Sequence, residues 1–255
     1  MRYLLPLVLA CLFHAAYSQP GKYSTSNAHS HNDYEQKTPF FAAYGESFGS
    51  IEADIFLHND SLIVGHTDDD ICYRRTLENL YLRPLEQQVE RYHGNPFSDS
   101  SRQLQVMIDV KTEGVPTLHK LVEILQGYPL LTRSKKIQFV ISGNRPADSL
   151  FGSYPAFIWF DGELSHPYPA EALPKIVMLS DDLKKYTKWT GKDVLSEADY
   201  QRLDSLVQYG HRLHKKVRFW DAPDFMEAWN KLILLKVDYI NTDRIDELSS
   251  FLRIK

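Results

Sequence analysis

The sequence is poor in cysteine and has no excess of basic residues. Its 255 residues include two cysteines, Cys11 and Cys72, and the first lies in an apolar segment near the N-terminus. If that segment is cleaved, Cys72 has no partner, so an intramolecular disulfide is excluded. The remaining 28 basic and 33 acidic side chains give a net charge of −5, whereas a nucleic-acid-binding surface is basic. We therefore expect no nucleic-acid partner and a domain held together by its apolar core.

Long hydrophobic runs are absent beyond the first twenty residues. Met1 and Arg2 precede an apolar stretch over residues 3–16, and small residues follow it before Gln19. This order is typical of a cleavable secretory signal peptide, and the stretch is too short for a stable membrane anchor. We predict a signal peptide over residues 1–18, a single domain over residues 19–255, no transmembrane segment, and a secreted or periplasmic location. Lipoprotein processing at Cys11 is the less favoured alternative, because Cys11 lies inside the apolar run.

A glycine-rich dinucleotide turn is also missing, which argues against an open, doubly wound sheet. Instead, strand-like segments alternate with helical patterns along the whole chain. Eight such alternations in a chain of this length predict an α/β fold, a closed (β/α)₈ TIM barrel. The predicted strands are residues 24–30, 50–57, 104–110, 136–142, 156–160, 175–179, 216–220 and 237–242.

Several helix boundaries have clear local signals. Thr38 followed by Pro39 predicts a helix start, since Thr is a good N-cap and proline suits the first helical position. Gly94 is expected to end a helix that begins near Pro84. Ser196, three residues before Asp199, predicts the start of a later helix.

Two of the predicted strands carry ionisable residues two positions apart. His29 and His31 share one face of the first strand, and Glu52 and Asp54 share one face of the second, because side chains alternate along a strand. The alternate face of the second strand, residues 51, 53 and 55, is apolar and needs covering by helices, so the carboxylates should face the barrel axis. Buried carboxylates are costly unless a cation neutralises them. This pattern predicts a metal site or an acid–base site.

Further polar or aromatic residues fall at other strand ends, where the catalytic residues of such barrels converge. Asp109 and Lys111 end the third strand, Arg145 follows the fourth, Trp220 ends the seventh, and His66 follows a short apolar return from the second. Such residues can also have a purely structural role. A single histidine can belong to the core, Asp109 and Lys111 can form an ion pair, and Trp220 can be a core aromatic. Tyr34, Tyr73 and Tyr81 we assign to packing.

The sequence around these residues resembles a known superfamily. Ala28-His29, the Ile51-Glu52-Ala53-Asp54 strand and Gly65-His66 resemble the glycerophosphodiester phosphodiesterases and phosphatidylinositol-phospholipase-C-like proteins. The His-Ser-His-Asn-Asp-Tyr opening is nearest to the branch named after the altered-inheritance-of-mitochondria proteins. Asp109-Val110-Lys111 resembles the third strand of spider-venom-type phospholipase D enzymes, and residues 237–243 resemble the last strand of the phosphodiesterases.

The resemblance implies a phosphoric diester hydrolase that acts on a glycerophosphodiester or a phospholipid-type diester. It implies Ca²⁺ or Mg²⁺ held by Glu52, Asp54 and Asp109, in agreement with the preference of such cations for oxygen ligands. It also implies acid–base catalysis by His66 and by either His29 or His31. The candidate substrate-binding residues are Asn32, Lys111, Arg145 and Trp220. The phosphodiesterases usually have arginine directly after the first histidine; Ser30 stands there, so Asn32 or Arg145 is expected to contact the phosphate.

Two alternative functions belong to other classes of protein. The His29-x-His31 pair resembles the first strand of amidohydrolase-like and histidinol-phosphatase-like metal hydrolases, which would bind zinc or iron. A non-catalytic protein that binds a phosphorylated ligand in the same pocket is the second alternative. The sequence leaves the oligomeric state, the substrate head group and the identity of the cation open.

Overall fold

The computed structural model describes residues 21–70 and 72–254, so the predicted signal peptide lies outside the described residues. Within them nine strands are present. In chain order they are β1 (Ala28–Ser30), β2 (Ser50–His58), β3 (Ser61–Val64), β4 (Leu104–Val110), β5 (Ile137–Gly143), β6 (Ile158–Glu163), β7 (Ile176–Asp182), β8 (Lys216–Trp220) and β9 (Ile240–Thr242).

All strands except β3 are parallel and pair in the order β8-β7-β6-β5-β4-β2-β1-β9. A parallel bridge between Arg218 and Tyr239 joins the two ends of this sheet. The result is a nearly closed barrel of eight parallel strands, and the predicted (β/α)₈ fold is confirmed. Parallel strands point the same way, so their C-terminal ends gather at one mouth.

Seven α-helices within the described residues connect or cover the strands. They are α1 (Phe41–Gly45), α2 (Arg83–Arg91), α3 (Gly114–Gln126), α4 (Pro129–Thr132), α5 (Glu197–Arg212), α6 (Met226–Leu234) and α7 (Ile245–Ile254). No helix in this part of the chain is long and apolar enough to cross a membrane.

The local signals predict some boundaries and miss others. The Ser196 side chain accepts a hydrogen bond from the Asp199 backbone N–H at the start of α5, as predicted. The predicted helix start at Thr38 is wrong: α1 begins at Phe41, after Phe40 with a positive φ of 64°. The first strand is shorter than predicted, because residues 25–27 form a 3₁₀ turn capped by Ser24.

The core has two layers. Ile51, Ala53 and Ile55 are fully buried in the large cluster between the sheet and the helices, as the alternation of β2 requires. A smaller cluster of Met107, Val140, Met178 and Tyr239 is separate from it. Met107 lies two residues before Asp109 on β4 and so on the same face. This second cluster therefore forms the apolar floor beneath the polar mouth of the barrel.

Candidate active site

Three carboxylates meet near the C-terminal end of the parallel pairing between β2 and β4. Asp54 is the direct lateral neighbour of Asp109 in the strand register, and Glu52 lies two residues earlier on β2. One oxygen from each of Glu52, Asp54 and Asp109 can be chosen so that all three lie within 4.8 Å of one another. Within the described residues this is the group of acidic, histidine or cysteine side chains suited to a metal ion. The structure therefore brings the three predicted metal ligands together.

Lys111 lies against two of these carboxylates. Its Nζ is 2.8 Å from Asp54 Oδ2 and 2.5 Å from Asp109 Oδ2. Burial opposes its charge, but Asp109 and Asp54 outweigh that effect and raise the Lys111 pKa. Burial, and then the charge of Glu52, raises the pKa of Asp54 to about 6 although Lys111 acts against this shift.

Asp54 also retains an unused ligand atom. Its Oδ1 is buried and has no hydrogen-bond partner, while Oδ2 accepts hydrogen bonds from Lys111 and Tyr34. An orphaned buried carboxylate oxygen is costly, and an all-oxygen donor set is what Ca²⁺ and Mg²⁺ prefer. The residues present therefore fit a hard divalent cation, which would be held by Glu52, Asp54 and Asp109.

Arg218 is a central site residue that the sequence prediction missed. Its guanidinium is buried, and Nη1 lies 3.0 Å from Glu52 Oε2 and 2.9 Å from Asn241 Oδ1. Burial alone would raise the pKa of Glu52, but Arg218 and then His29 hold it well below its usual range. Alternation along β8 places Arg218 on the same face as Trp220, and this signal could have identified it.

His29 is enclosed rather than open to the pocket. Its Nδ1 is 2.7 Å from Ser50 Oγ, and its Nε2 is 2.6 Å from both Glu52 Oε2 and Arg218 Nη1. The ring is fully buried. Burial and the Arg218 charge lower the His29 pKa to about 4 although Glu52 opposes this shift. His29 is therefore neutral near pH 7 and lies against a buried ion pair.

His31 has the opposite environment. It lines the pocket and its side chain is partly exposed, with Nδ1 2.8 Å from Asp243 Oδ1. Burial disfavours protonation, but the hydrogen bond to Asp243 and the charges of Glu52 and Asp243 outweigh it, so the His31 pKa is raised. An imidazole oriented by a carboxylate at one nitrogen is suited to proton transfer at the other.

His66 reaches the mouth through the β2–β3 hairpin. Asn59 and Asp60 both have positive φ, as a two-residue type I′ turn requires, and β3 then leads back to the mouth. The His66 side chain is 53% exposed, and its Nδ1 lies 3.0 Å from the hydroxyl of Tyr34. The assignment of Tyr34 to packing alone is therefore wrong: its ring is buried, but its hydroxyl bonds to residues of the site.

Glu52, Asp109 and Arg218 line a cavity of about 430 Å³ at the mouth of the barrel. The predicted substrate-binding residues Asn32, Lys111, Arg145 and Trp220 all line it, as do His31 and His66. Arg145 is held by Glu163 at 2.6 Å and by the carbonyl of Asp161. The far wall contains polar residues that the sequence prediction missed: Asp161, Glu163, Ser180, Asp181 and Lys185. Burial raises the pKa of Asp161 to about 6, against the opposing charges of Arg218 and Arg145.

Comparisons with known proteins place this site in a family context. The model of the AIM6-like phosphodiesterase domain matches residues 22–137, which include the three carboxylates, Lys111 and the three histidines of the site. The chain is 24% identical over 266 residues to the altered inheritance of mitochondria protein 6 homolog of Arthroderma benhamiae, covering 88% of this chain and 82% of that protein. It is 25% identical to the Eremothecium gossypii protein of the same name, covering 89% and 69%.

Solved structures support the fold. A glycerophosphodiester phosphodiesterase from Parabacteroides distasonis has a TM-score of 0.58 and 16% identity over 92% of this chain and 99% of that one. A putative glycerophosphoryl diester phosphodiesterase from Agrobacterium tumefaciens has a TM-score of 0.51 and 14% identity, covering 90% and 99%. The resemblance predicted from the sequence is therefore confirmed: residues 22–137 match the AIM6-like phosphodiesterase domain, and the barrel has the fold of the glycerophosphodiester phosphodiesterases.

Proposed function

We propose that this protein is a divalent-cation-dependent phosphoric diester hydrolase that acts on a glycerophosphodiester or phospholipid-type diester. The observation that carries the proposal is the cluster of Glu52, Asp54 and Asp109 at a pocket that Glu52 and Asp109 line together with Lys111 and His66, while Asp54 is buried directly behind it. The family match at the level of a phosphodiesterase domain supports the same reaction class. We also propose secretion after removal of residues 1–18, which the sequence pattern supports.

The pocket offers positive charge for a phosphodiester. Ca²⁺ or Mg²⁺ bound to the three carboxylates would supply Lewis-acid stabilisation of the charge that develops on the phosphoryl oxygens. Lys111 and Arg218 add two cationic side chains on either side of the carboxylates. Arg145 is already bound to Glu163 and to the Asp161 carbonyl. Arg218 is likewise paired with Glu52, and Asn32, Arg145 and Arg218 all line the pocket, so we propose these three residues for the phosphate contact that arginine makes after the first histidine in the resembling phosphodiesterases.

Two pocket-lining histidines provide the proton transfers. His66 deprotonates the nucleophile, and His31, oriented by Asp243, protonates the leaving alcohol. This choice follows from accessibility, because His29 is fully buried between Ser50 and the Glu52–Arg218 pair. Each proton transfer contributes on the order of 10²–10⁴ in rate. His29 then acts by holding Glu52 in place.

Removal of the cation tests the function. A panel of phosphodiesters is assayed with and without a chelator. Turnover should vanish with the chelator and return with Ca²⁺ or Mg²⁺, because a cation held by the carboxylates would stabilise the charge that develops on the phosphoryl oxygens. The products, resolved as cyclic or open phosphates, identify the nucleophile as a substrate hydroxyl or water. Full activity in the chelator, or no turnover of any diester with either cation, would count against the proposal.

Leaving-group dependence tests the histidine assignment. A general acid matters most when the leaving alcohol is a poor leaving group. His31→Asn should therefore lower kcat about 10²-fold or more for an alkyl phosphodiester and much less for a p-nitrophenyl phosphodiester. His66→Asn should lower both. If His29→Asn rather than His31→Asn shows the selective loss, the acid role belongs to His29.

The alternative metal hydrolase is disfavoured by the donor set. The candidate metal group in the described residues contains three carboxylates and no histidine, which suits a hard cation better than zinc or iron. Stoichiometric zinc or iron in the purified protein would favour the His29-x-His31 interpretation. Tight binding of a phosphodiester without any product would favour the non-catalytic alternative.

A further inference from the structure

We propose that Tyr34 is a positioning residue for His66, through a hydrogen-bonded chain that runs from His66 Nδ1 through the Tyr34 hydroxyl to Asp54. The inference deepens the proposed function and rests on it for the role of His66 as the base. The geometry of these hydrogen bonds can be tested without any reaction.

The Tyr34 hydroxyl joins two site residues that do not bond directly. Its oxygen is 2.8 Å from Asp54 Oδ2 and 3.0 Å from His66 Nδ1. His66 Nδ1 and Asp54 Oδ2 are 3.7 Å apart, too far for a hydrogen bond. Tyr34 is therefore the link between the candidate base and a candidate metal ligand.

The Tyr34 hydroxyl has a single proton, and the acceptor of that proton determines which atoms donate and which accept in the two hydrogen bonds. Asp54 Oδ2 is the nearest acceptor, and a carboxylate is a stronger acceptor than the Asn32 side-chain oxygen, which lies at 3.0 Å. A phenol ordinarily has a pKa of about 10, so the Tyr34 hydroxyl keeps its proton near neutral pH. With that proton donated to Asp54, the hydroxyl oxygen can only accept from His66, whose Nδ1 must then carry a proton.

This arrangement prepares His66 to act as a base. A neutral imidazole protonated at Nδ1 has its lone pair at Nε2. When the nucleophile's O–H bond breaks, its proton is taken up at Nε2, the Nδ1–H bond to Tyr34 persists, and the charge of Asp54 lies 3.7 Å from the imidazolium. The chain leaves Asp54 Oδ1 unused, so it is compatible with a cation at that atom.

His66 needs such a contact because little else fixes its ring. Within the described residues its ring makes a hydrogen bond only to Tyr34, while its backbone N–H is bound by Asp70. The side chain is half exposed, so in water it would sample several rotamers and both tautomers. A fixed tautomer and orientation therefore depend on the Tyr34 hydroxyl.

The loop after β1 is built to present this tyrosine. Asn32 has a positive φ of 44°, which turns the chain out of the strand. Asp33 is fully buried and accepts hydrogen bonds from Ser30 Oγ, the Phe40 backbone N–H and the Tyr81 hydroxyl. Asp33 thus anchors the loop, and the His-Ser-His-Asn-Asp-Tyr motif places Tyr34 beside Asp54.

The test measures the tautomer of His66 by ¹⁵N NMR of histidine-labelled protein at alkaline pH, in a chelator and with added Ca²⁺. His66→Asn identifies the signal. In the unmodified protein we expect the Nδ1–H form. In Tyr34→Phe, which keeps the buried ring, we expect the Nε2–H form that free imidazole side chains prefer. Tyr44→Phe is the matched control, because it removes another hydrogen-bonded tyrosine hydroxyl, which is half-buried and donates to the Pro96 carbonyl, and it should leave the signal unchanged.

Kinetics give the second readout. Tyr34→Phe should lower kcat about 10–100-fold with little change in KM, as expected for a misplaced base, while Tyr44→Phe retains full turnover. An Nε2–H tautomer in the unmodified protein, or an unchanged tautomer in Tyr34→Phe, would overturn the inference. If Tyr34→Phe does not fold, the tautomer of the unmodified protein decides. Absence of any turnover in the unmodified protein would instead contradict the proposed function, because the tautomer can be read without a reaction.

Discussion

Asp109→Asn is expected to abolish cation-dependent turnover while the barrel stays folded. The change removes one of three negative charges that would hold the cation, so kcat/KM should fall by about 10²–10³-fold or more. The cost in stability should be about 1 kcal/mol, because the change relieves the repulsion among three neighbouring carboxylates and Lys111 keeps Asp54 as a partner. Steady-state kinetics and chemical denaturation of the same preparation check both expectations.

The matched control for this variant is Asp60→Asn. Asp60 also pairs with a lysine, Lys120, at 2.8 Å, but its side chain is 84% exposed and lies in the β2–β3 turn. It should retain full turnover. An Asp109→Asn variant that is as active as Asp60→Asn would show that the three carboxylates are not a catalytic cation site.

Arg218→Met is expected to lower the free energy of unfolding by about 3–5 kcal/mol, as found when one partner of a buried ion pair is removed. Arg218 Nη1 is 3.0 Å from Glu52, and Nη2 is 3.9 Å from Asp161, and all three side chains are almost fully buried. Without the guanidinium, two buried carboxylates lose their positive partner. The measurement is chemical denaturation in the presence of a chelator, so that no cation replaces the lost charge.

Two further variants make this result specific. Arg244→Met removes an exposed arginine that pairs with Glu247 at 2.9 Å and should cost about 1 kcal/mol or less. Adding Glu52→Gln to Arg218→Met should recover part of the loss, because the uncompensated charge is then gone. A loss in Arg218→Met no larger than in Arg244→Met would contradict the buried ion pair at the centre of the site.

The sequence predicts the barrel well because its signals are local and repeated. Each strand is a short apolar run, and the apolar Ile51, Ala53 and Ile55, which alternate with the carboxylates of β2, predict the face that helices cover; all three are buried there. The same alternation brings Glu52 and Asp54 to the mouth, and the strand order brings Asp109 beside Asp54. These parts of the site follow from periodicity and from the general geometry of parallel barrels.

The remaining site depends on contacts between distant parts of the chain. Arg218 is 166 residues from Glu52, and only closure of the barrel reveals that it neutralises this carboxylate. The choice between His29 and His31 likewise depends on Arg218 and Asp243, which enclose one ring and orient the other. Tyr34 escapes prediction because a tyrosine in a loop has no periodic signal, and its hydroxyl partners come from β2 and from the chain after β3.

Cation binding by the three carboxylates can be observed directly by anomalous diffraction from crystals of the unmodified protein soaked in Mn²⁺, which substitutes for Mg²⁺ and has a usable anomalous signal. The account predicts one strong peak in contact with carboxylate oxygens of Glu52, Asp54 and Asp109, and no peak there in Asp109→Asn. A pocket without a peak in the unmodified protein, or a peak bound to His29 and His31 instead, would contradict it.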